Sequence, residues 1–300
     1  MSIFKKNYRE TTARRVFKVF NYLFCILVAA ICIMPMVHVF ALSLSASKYV
    51  NSGKVFLLPK GFSFSAYKDL LSKRQFFVSM GISVGRVVLG LIIDMLVIIL
   101  TAYPLSKTRN QFGARQFYVW LFIFSMLFNG GLIPTYLVVS GTGLLNTIWA
   151  LIIPGAVQVS NIILLQNFMK ALPDEISEAA FIDGAGHWRT LLQIILPLCK
   201  PSIAAISLFV MVGHWNDWFS GMVYIQNSKH YPLQSYLQTQ IIDWSKVDIE
   251  YIDPDLIAEK SAESSIRSAQ MFLAMIPILC VYPFLQRHFT TGIVMGSVKG

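Results

Sequence analysis

The sequence predicts an all-α, polytopic membrane protein with six transmembrane helices and one polar helix-turn-helix between the fourth and fifth. Three observations carry this. Hydrophobic residues make up 55% of the chain and charged residues only 13%, where soluble chains carry about 25% charged residues. Mean hydropathy is +0.60, and apolar runs of about 20 residues or more recur six times, each long enough for a bilayer core of roughly 30 Å. Within this greasy background, four of the 15 acidic residues fall close together, as Asp174, Glu175, Glu178 and Asp183.

The net charge of +10 does not point to nucleic acid. Nucleic-acid binders gather Lys and Arg on one water-exposed face, whereas here the basic residues flank apolar runs, as orientation signals do. Cys25, Cys32 and Cys280 lie in apolar spans and Cys199 lies beside one, so no disulfide framework is expected. No Cys/His cluster implies a metal. The run from Val16 to about Leu44 is too long for the apolar core of a signal peptide, and it reads as a retained first span.

Taken in order, residues 1–15 hold Lys5, Lys6, Arg9, Arg14 and Arg15 against the single acid Glu10. That cluster places the N-terminus in the cytoplasm. Span one is 16–44, with Pro35 as an expected kink. Residues 45–77 form a polar connector, whose lysines run against the inside rule but are outvoted by the other loops. Span two is 78–104, and the following SKTRNQFGARQ carries Lys107, Arg109 and Arg115 with no acid. Span three is 117–139, broken or bent by NGGLIP at 129–134. Span four is 147–168, span five 201–224 and span six 267–286. The 225–266 loop holds seven acids against three lysines, which suits the outer side. Both termini are then cytoplasmic, and 1–300 reads as one transmembrane domain in a cell membrane, with a cytoplasmic tail at 287–300.

Between spans four and five, residues 174–197 read as helix, turn, helix. Pro173 suits a helix start, where its missing N–H costs nothing. Asp174, Glu175 and Glu178 put negative charge near that helix's N-terminus, where the macrodipole favours it. Ala179 and Ala180 leave a small surface that a partner can approach. Asp183-Gly184-Ala185-Gly186 then ends the helix, because Gly accepts the left-handed conformation of a helix stop. A second amphipathic piece runs from His187 to Leu196 and ends at Pro197.

Ionisable residues inside spans are costly and are functional candidates by default. His38, Arg86, Asp94, His214 and Asp217 qualify. Arg86 and Asp94 lie two turns apart on one face, which fits partnering within the bundle, closeness to the membrane edge or, less readily, a proton relay. Trp215, Asn216, Asp217 and Trp218 form the densest group, about 20 Å along span five at 1.5 Å per residue. Indole faces can stack on sugar rings while Asn and Asp bond hydroxyls, giving a substrate path. An aromatic interface belt with a helix-packing polar pair explains the same residues.

The spacing Glu178-Ala179-Ala180, three residues, then Gly184, continuing to Leu196-Pro197, resembles the signature loop of binding-protein-dependent ABC transporter permeases. Gly186 departs mildly from the commonest pattern. WNDWF at 215–219 and the ending YPFLQRHFTTGIVMGSVKG at 282–300 are similar to the carbohydrate-uptake branch, as in the second permease of maltose-type systems. NGGLIPTYLVVSGTGLLNTIWALIIPGA at 129–156 is similar to its complex-oligosaccharide subgroup. The resemblance covers most of the chain.

It implies a permease subunit of an ATP-driven sugar importer that forms half of the translocation path. Glu178, Ala179, Ala180, Asp183 and Gly184 would be the surface that docks on a cytoplasmic ATPase. The implied partners are a second permease, two ATPase subunits and an extracellular sugar-binding lipoprotein, besides membrane lipid. No cofactor is expected in this chain, ATP and Mg belonging to the ATPase. Consistent with that division, the sequence contains no GxxxxGK[ST] stretch to cradle phosphate, and no enzyme activity is expected. The resemblance suggests that the 287–300 tail touches the ATPases, with a frayed tail as the plain alternative. The 225–266 loop, which mixes Tyr231, Tyr236, Trp244 and Tyr251 with acids, is expected to meet the binding protein, with a solvated cap as the plain alternative. The competing function is a stand-alone ion-coupled transporter. It would favour inverted repeats, and none is visible.

Overall fold

The computed structural model describes residues 11–242, 264–281 and 283. Among the described residues the chain is helical, and its only strand-like pairing is an isolated antiparallel bridge between Ser45 and Phe62. Three helices are each long and apolar enough to cross a membrane: Thr12–Ser43, Arg74–Ser106 and Ser264–Val281. Among the described residues, three bent pairs bring the total to as many as six, counting each pair as one span. They are Arg115–Leu127 with Leu132–Gly141 (115°), Ile148–Gly155 with Val159–Lys170 (53°), and His187–Leu198 with Lys200–Asn216 (83°).

The breaks have local causes. Span three stops as expected at the NGGLIP segment, where Gly131 takes φ 89° and its N–H donates to Asn129 Oδ1 at 2.9 Å. Span four, expected as continuous, instead begins as a 3-10 segment over Ile148–Gly155 and restarts at Val159. Pro154 lacks an N–H and disfavours the α region for the residue before it. Span five, expected to run unbroken over 201–224, is helical over Lys200–Asn216 and again over Phe219–Tyr224. Between them the Asp217 carboxylate accepts the Ser220 N–H at 3.1 Å, a local side-chain bond that competes with helix continuation.

The hairpin's second helix does not stop at Pro197. It runs over His187–Leu198 with a π turn at Leu191–Ile195, and the chain turns at Cys199 into a helix that has Pro201 in its first turn. A π turn holds one extra residue within a helix, and here it lies just ahead of the proline.

By contact, the described residues form two compact units, 11–72 with 264–273 and 73–242 with 274–281 and 283. Composition gives no reason to divide the chain, since apolar spans occur in both units. In the first unit the 45–77 connector, expected to be plain, contains the helices Ser47–Asn51 and Ser65–Ser72. Its loop closes through Ala46 N–H to Gly61 O at 2.8 Å and Ser63 N–H to Leu44 O at 3.0 Å. Gly61 has φ 62°, and any Cβ there would lie 2.7 Å from the Tyr49 ring, so both its conformation and its contact demand glycine.

In the second unit, the helix Arg74–Ser106 is the central post. Its Ile98, Ala102 and Leu105 pack with Ile162 and Leu165 of span four, Leu191 and Ile195 of the hairpin, and Ile206 and Val210 of span five. In a bilayer such association rests on close packing and interhelical hydrogen bonds, because lipid is as apolar as leucine. The start of the 225–266 loop also joins this unit. Its helix Leu233–Ile242 buries Leu233 completely, and the Leu233 N–H donates to Ser83 Oγ at 2.7 Å. The remainder of that loop, 243–263, lies outside the described residues, as do 1–10 and the tail at 284–300.

Candidate functional site

The 174–197 hairpin projects from the packed core. Its first helix, Asp174–Ile182, carries Asp174 and Glu175 in its opening turn. At its end Gly184 takes φ 77°, its N–H donates to Phe181 O at 3.0 Å, and the Ala185 N–H donates to Ala180 O at 2.9 Å. This pair of bonds is a Schellman motif with Gly184 at the left-handed position. A Cβ on Gly184 would meet nothing within 4 Å, so its requirement for glycine is conformational.

Of the five residues singled out in this loop, Glu178, Ala179, Asp183 and Gly184 are exposed, while Ala180 is buried. Ala180 faces the protein, and its small side chain lets the helix sit close. Three apolar residues missed in the sequence are presented to the outside instead: Ile182 at 85% exposure, Trp188 at 67% and Leu192 at 58%. A reading that treats every apolar residue beside a span as buried hides such residues.

The base of the hairpin is tied to the end of the second span. Lys107 Nζ donates to Ser177 Oγ at 3.3 Å and lies 4.8 Å from the Tyr103 ring centroid and 5.9 Å from that of Phe181. Burial holds the Lys107 ammonium below the usual lysine pKa, and nearby Asp174 partly offsets this. Tyr103 Oη lies 3.4 Å from His187 Nδ1, and the His187 ring meets Phe181 edge-on at 5.0 Å. On the other side of the hairpin, Leu191 and Ile195 enter the common core. The hairpin is therefore packed against the second, fourth and fifth spans through buried side chains.

The polar residues within the spans form two clusters, with partners inside the helix bundle as expected. Arg86 and Asp94 do not pair. Arg86, only 2% exposed, reaches the break in span five: its Nη2 lies 2.5 Å from Asp217 Oδ2, and its Nη1 donates to Asp217 O at 2.9 Å. The same guanidinium donates to Ser220 Oγ and to Leu151 O, both at 3.0 Å. Ser220 Oγ also donates to the Asp217 carboxylate. One side chain thus pins the break in span five and the 3-10 start of span four to the second span.

Asp94, fully buried, lies 2.9 Å from His214 Nε2 and accepts from Gln158 Nε2 at 2.7 Å. Gln158 in turn accepts from Asn161 Nδ2 at 2.5 Å. This second cluster again joins spans two, four and five. A Cβ at Gly90 would overlap the His214 imidazole, so Gly90 makes the room that the ring occupies.

The WNDW group is divided by its surroundings. Trp215 is buried, with its indole N–H donated to Ala274 O at 3.0 Å. Asp217 is occupied by Arg86 and Ser220. Asn216 and Trp218 are exposed. His38, in the first unit, has its Nδ1 2.5 Å from Phe56 O. Among the described residues no cluster of three His, Cys, Asp or Glu side chains could hold a metal.

Comparison with known proteins fixes the family. The model described as "Binding-protein-dependent transport system inner membrane component" matches residues 2–294. Protein LplC of Bacillus subtilis (strain 168) is 42% identical over 293 residues, 97% of this chain and 97% of that protein. The polygalacturonan/rhamnogalacturonan transport system permease protein YtcP of the same organism is 39% identical over 286 residues, 95% of this chain and 99% of that protein. Among solved structures, a chain of a bacterial ABC transporter involved in the import of the acidic polysaccharide alginate superposes with a TM-score of 0.81 at 29% identity, covering 94% of this chain and 100% of that chain. With up to six candidate spans, an exposed hairpin and this match along nearly its whole length, the chain belongs to the family of binding-protein-dependent transport system inner membrane components.

Proposed function

We propose that this permease forms half of the translocation path of an ATP-driven oligosaccharide importer, and that the 174–197 hairpin is the handle by which a separate ATPase moves it. The observation that carries the reading is the hairpin's construction. Its outer face presents acids and three large apolar side chains, while its inner side is fixed in the core shared by three spans. Glu178, Ala179, Asp183 and Gly184 are the docking surface, joined by Ile182, Trp188 and Leu192, and Ala180 seats the helix from below. The basic N-terminus and the acid-free loop at Lys107, Arg109 and Arg115 support a cytoplasmic position for both termini and the hairpin.

The remaining assembly consists of a second permease chain, two ATPase subunits carrying ATP and Mg, and an external sugar-binding lipoprotein. The cargo is an oligosaccharide released from an acidic polysaccharide. This is supported by the names of two of the compared proteins, which carry polygalacturonan/rhamnogalacturonan and alginate. Asn216 and Trp218 are the members of the WNDW group able to face that path, with Trp215 and Asp217 shaping the break that presents them. The test is uptake of labelled oligogalacturonides into proteoliposomes holding the complete complex, with binding protein and internal ATP. ATP-dependent accumulation that disappears without the binding protein supports the proposal; accumulation driven by an ion gradient without ATP refutes it.

A further inference from the structure

We infer that the base of the hairpin is a binding site for an acidic phospholipid. Two cavities, each of about 350 Å³, lie side by side where the second span ends, and both are bounded by Tyr103, Lys107 and Gln111. They differ in chemistry. The first brings Lys107, Arg115 and Lys170 together against one acid, Asp174, with hydroxyls from Ser106, Thr108 and Ser177. Its cations come from the ends of three separate membrane elements. The second adds Leu100, Pro104, Phe112, Trp188 and Leu191, an apolar lining.

A basic cavity beside an apolar one matches an amphiphile with an anionic head and a hydrocarbon tail. Free phosphate would use only the first cavity. The level is also right: Ser106, Arg115 and Lys170 are terminal residues of their helices, where a span meets the headgroup layer, and basic pockets between helices at that depth take acidic headgroups. Arg115 is already oriented, its Nε–H donated to Leu105 O at 2.9 Å, which turns the guanidinium without using its amino groups. Lys107 bonds only a neutral hydroxyl, Ser177 Oγ. The occupant would touch both hairpin helices, through Pro173 and Asp174 on one side and His187 and Trp188 on the other. It would brace the hairpin against the second span. That consequence rests on the handle reading; the binding itself does not.

The test separates the two. The complete transporter is purified from mixed phosphatidylcholine and phosphatidylglycerol bilayers, and retained lipid is counted by native mass spectrometry. Wild type is compared with Lys107→Gln/Lys170→Gln and with Arg109→Gln, a neutralisation outside both cavities. Wild type and Arg109→Gln should keep phosphatidylglycerol selectively, while the double variant should lose about thirtyfold in that preference, as expected for two basic contacts at headgroup depth. Equal selectivity in all three proteins would overturn the inference. Displacement of phosphatidylglycerol by millimolar inorganic phosphate would also overturn it, marking a soluble-anion site instead. Selective retention with no effect of lipid on stimulated ATP hydrolysis would keep the lipid site and refute its role in the hairpin.

Discussion

Replacing Arg86 with methionine keeps most of the side-chain volume and removes the guanidinium that holds two broken spans. Arg86 is 2% exposed and makes four hydrogen bonds to three residues, Asp217, Ser220 and Leu151. Removing one partner of a buried ion pair costs about 3–5 kcal/mol, mostly because the other charge is left uncompensated. The Asp217 side chain is 34% exposed and keeps its bonds from Ser220, so the cost should fall near the lower end, about 3 kcal/mol. Arg86→Lys retains the charge but not the fork that spans Asp217 and Leu151, and it should recover only part of the loss. The assay is a double-mutant cycle with Asp217→Asn, read by detergent-induced unfolding in mixed micelles and by uptake in vesicles. A coupling energy above about 1 kcal/mol between the two sites is expected. Coupling within about 0.5 kcal/mol of zero, or full uptake by Arg86→Met, would refute the pin.

Gly90→Ala should destabilise the bundle by about 1–3 kcal/mol, the usual range for overpacking, because its Cβ enters the His214 ring; adding His214→Ala should restore packing, and thermal melting of the four proteins of that cycle checks it. Leu191→Ala removes a 2% exposed side chain from the core beneath the hairpin, at a cost of about 2–5 kcal/mol. Its signature should be a hairpin more open to protease at Arg189 while the distant spans keep their protection. Gly184→Ala should cost about 1–2 kcal/mol through its positive φ alone, lowering the melting temperature without steric rearrangement of any neighbour.

Much of this could be read from the residues. The apolar runs gave the spans to within a few positions, because no other solvent tolerates them. Gly184 announced the hairpin turn, and Gly131 the break in span three. The breaks at Pro154 and Asp217 escaped because each depends on a distant partner or an adjacent irregular segment that satisfies the freed backbone. Arg86 supplies this for both, 65 and 131 residues away. The same separation hid the identity of the partners: helical spacing puts Arg86 and Asp94 two turns apart on one face, and folding gives each its own partner on span five. The exposure of Ile182 and the burial of Ala180 follow from which face of a nine-residue helix meets Lys107 and Tyr103, and that requires the fold. The packing of Leu233–Ile242 against the second span was hidden by its polar neighbours in sequence.

The central claim is that the hairpin transmits work from an ATPase. The most direct measurement is oligosaccharide-stimulated ATP hydrolysis by the reconstituted complex, comparing wild type with Glu178→Arg/Ile182→Glu. Both side chains point outward, so the substitutions alter the docking face without entering the core. Stimulated hydrolysis should be lost while the permease remains inserted at wild-type levels and the isolated ATPase keeps its basal rate. Unchanged stimulation and unchanged uptake would mean that nothing docks on this face, and that the hairpin is only a connection between two spans.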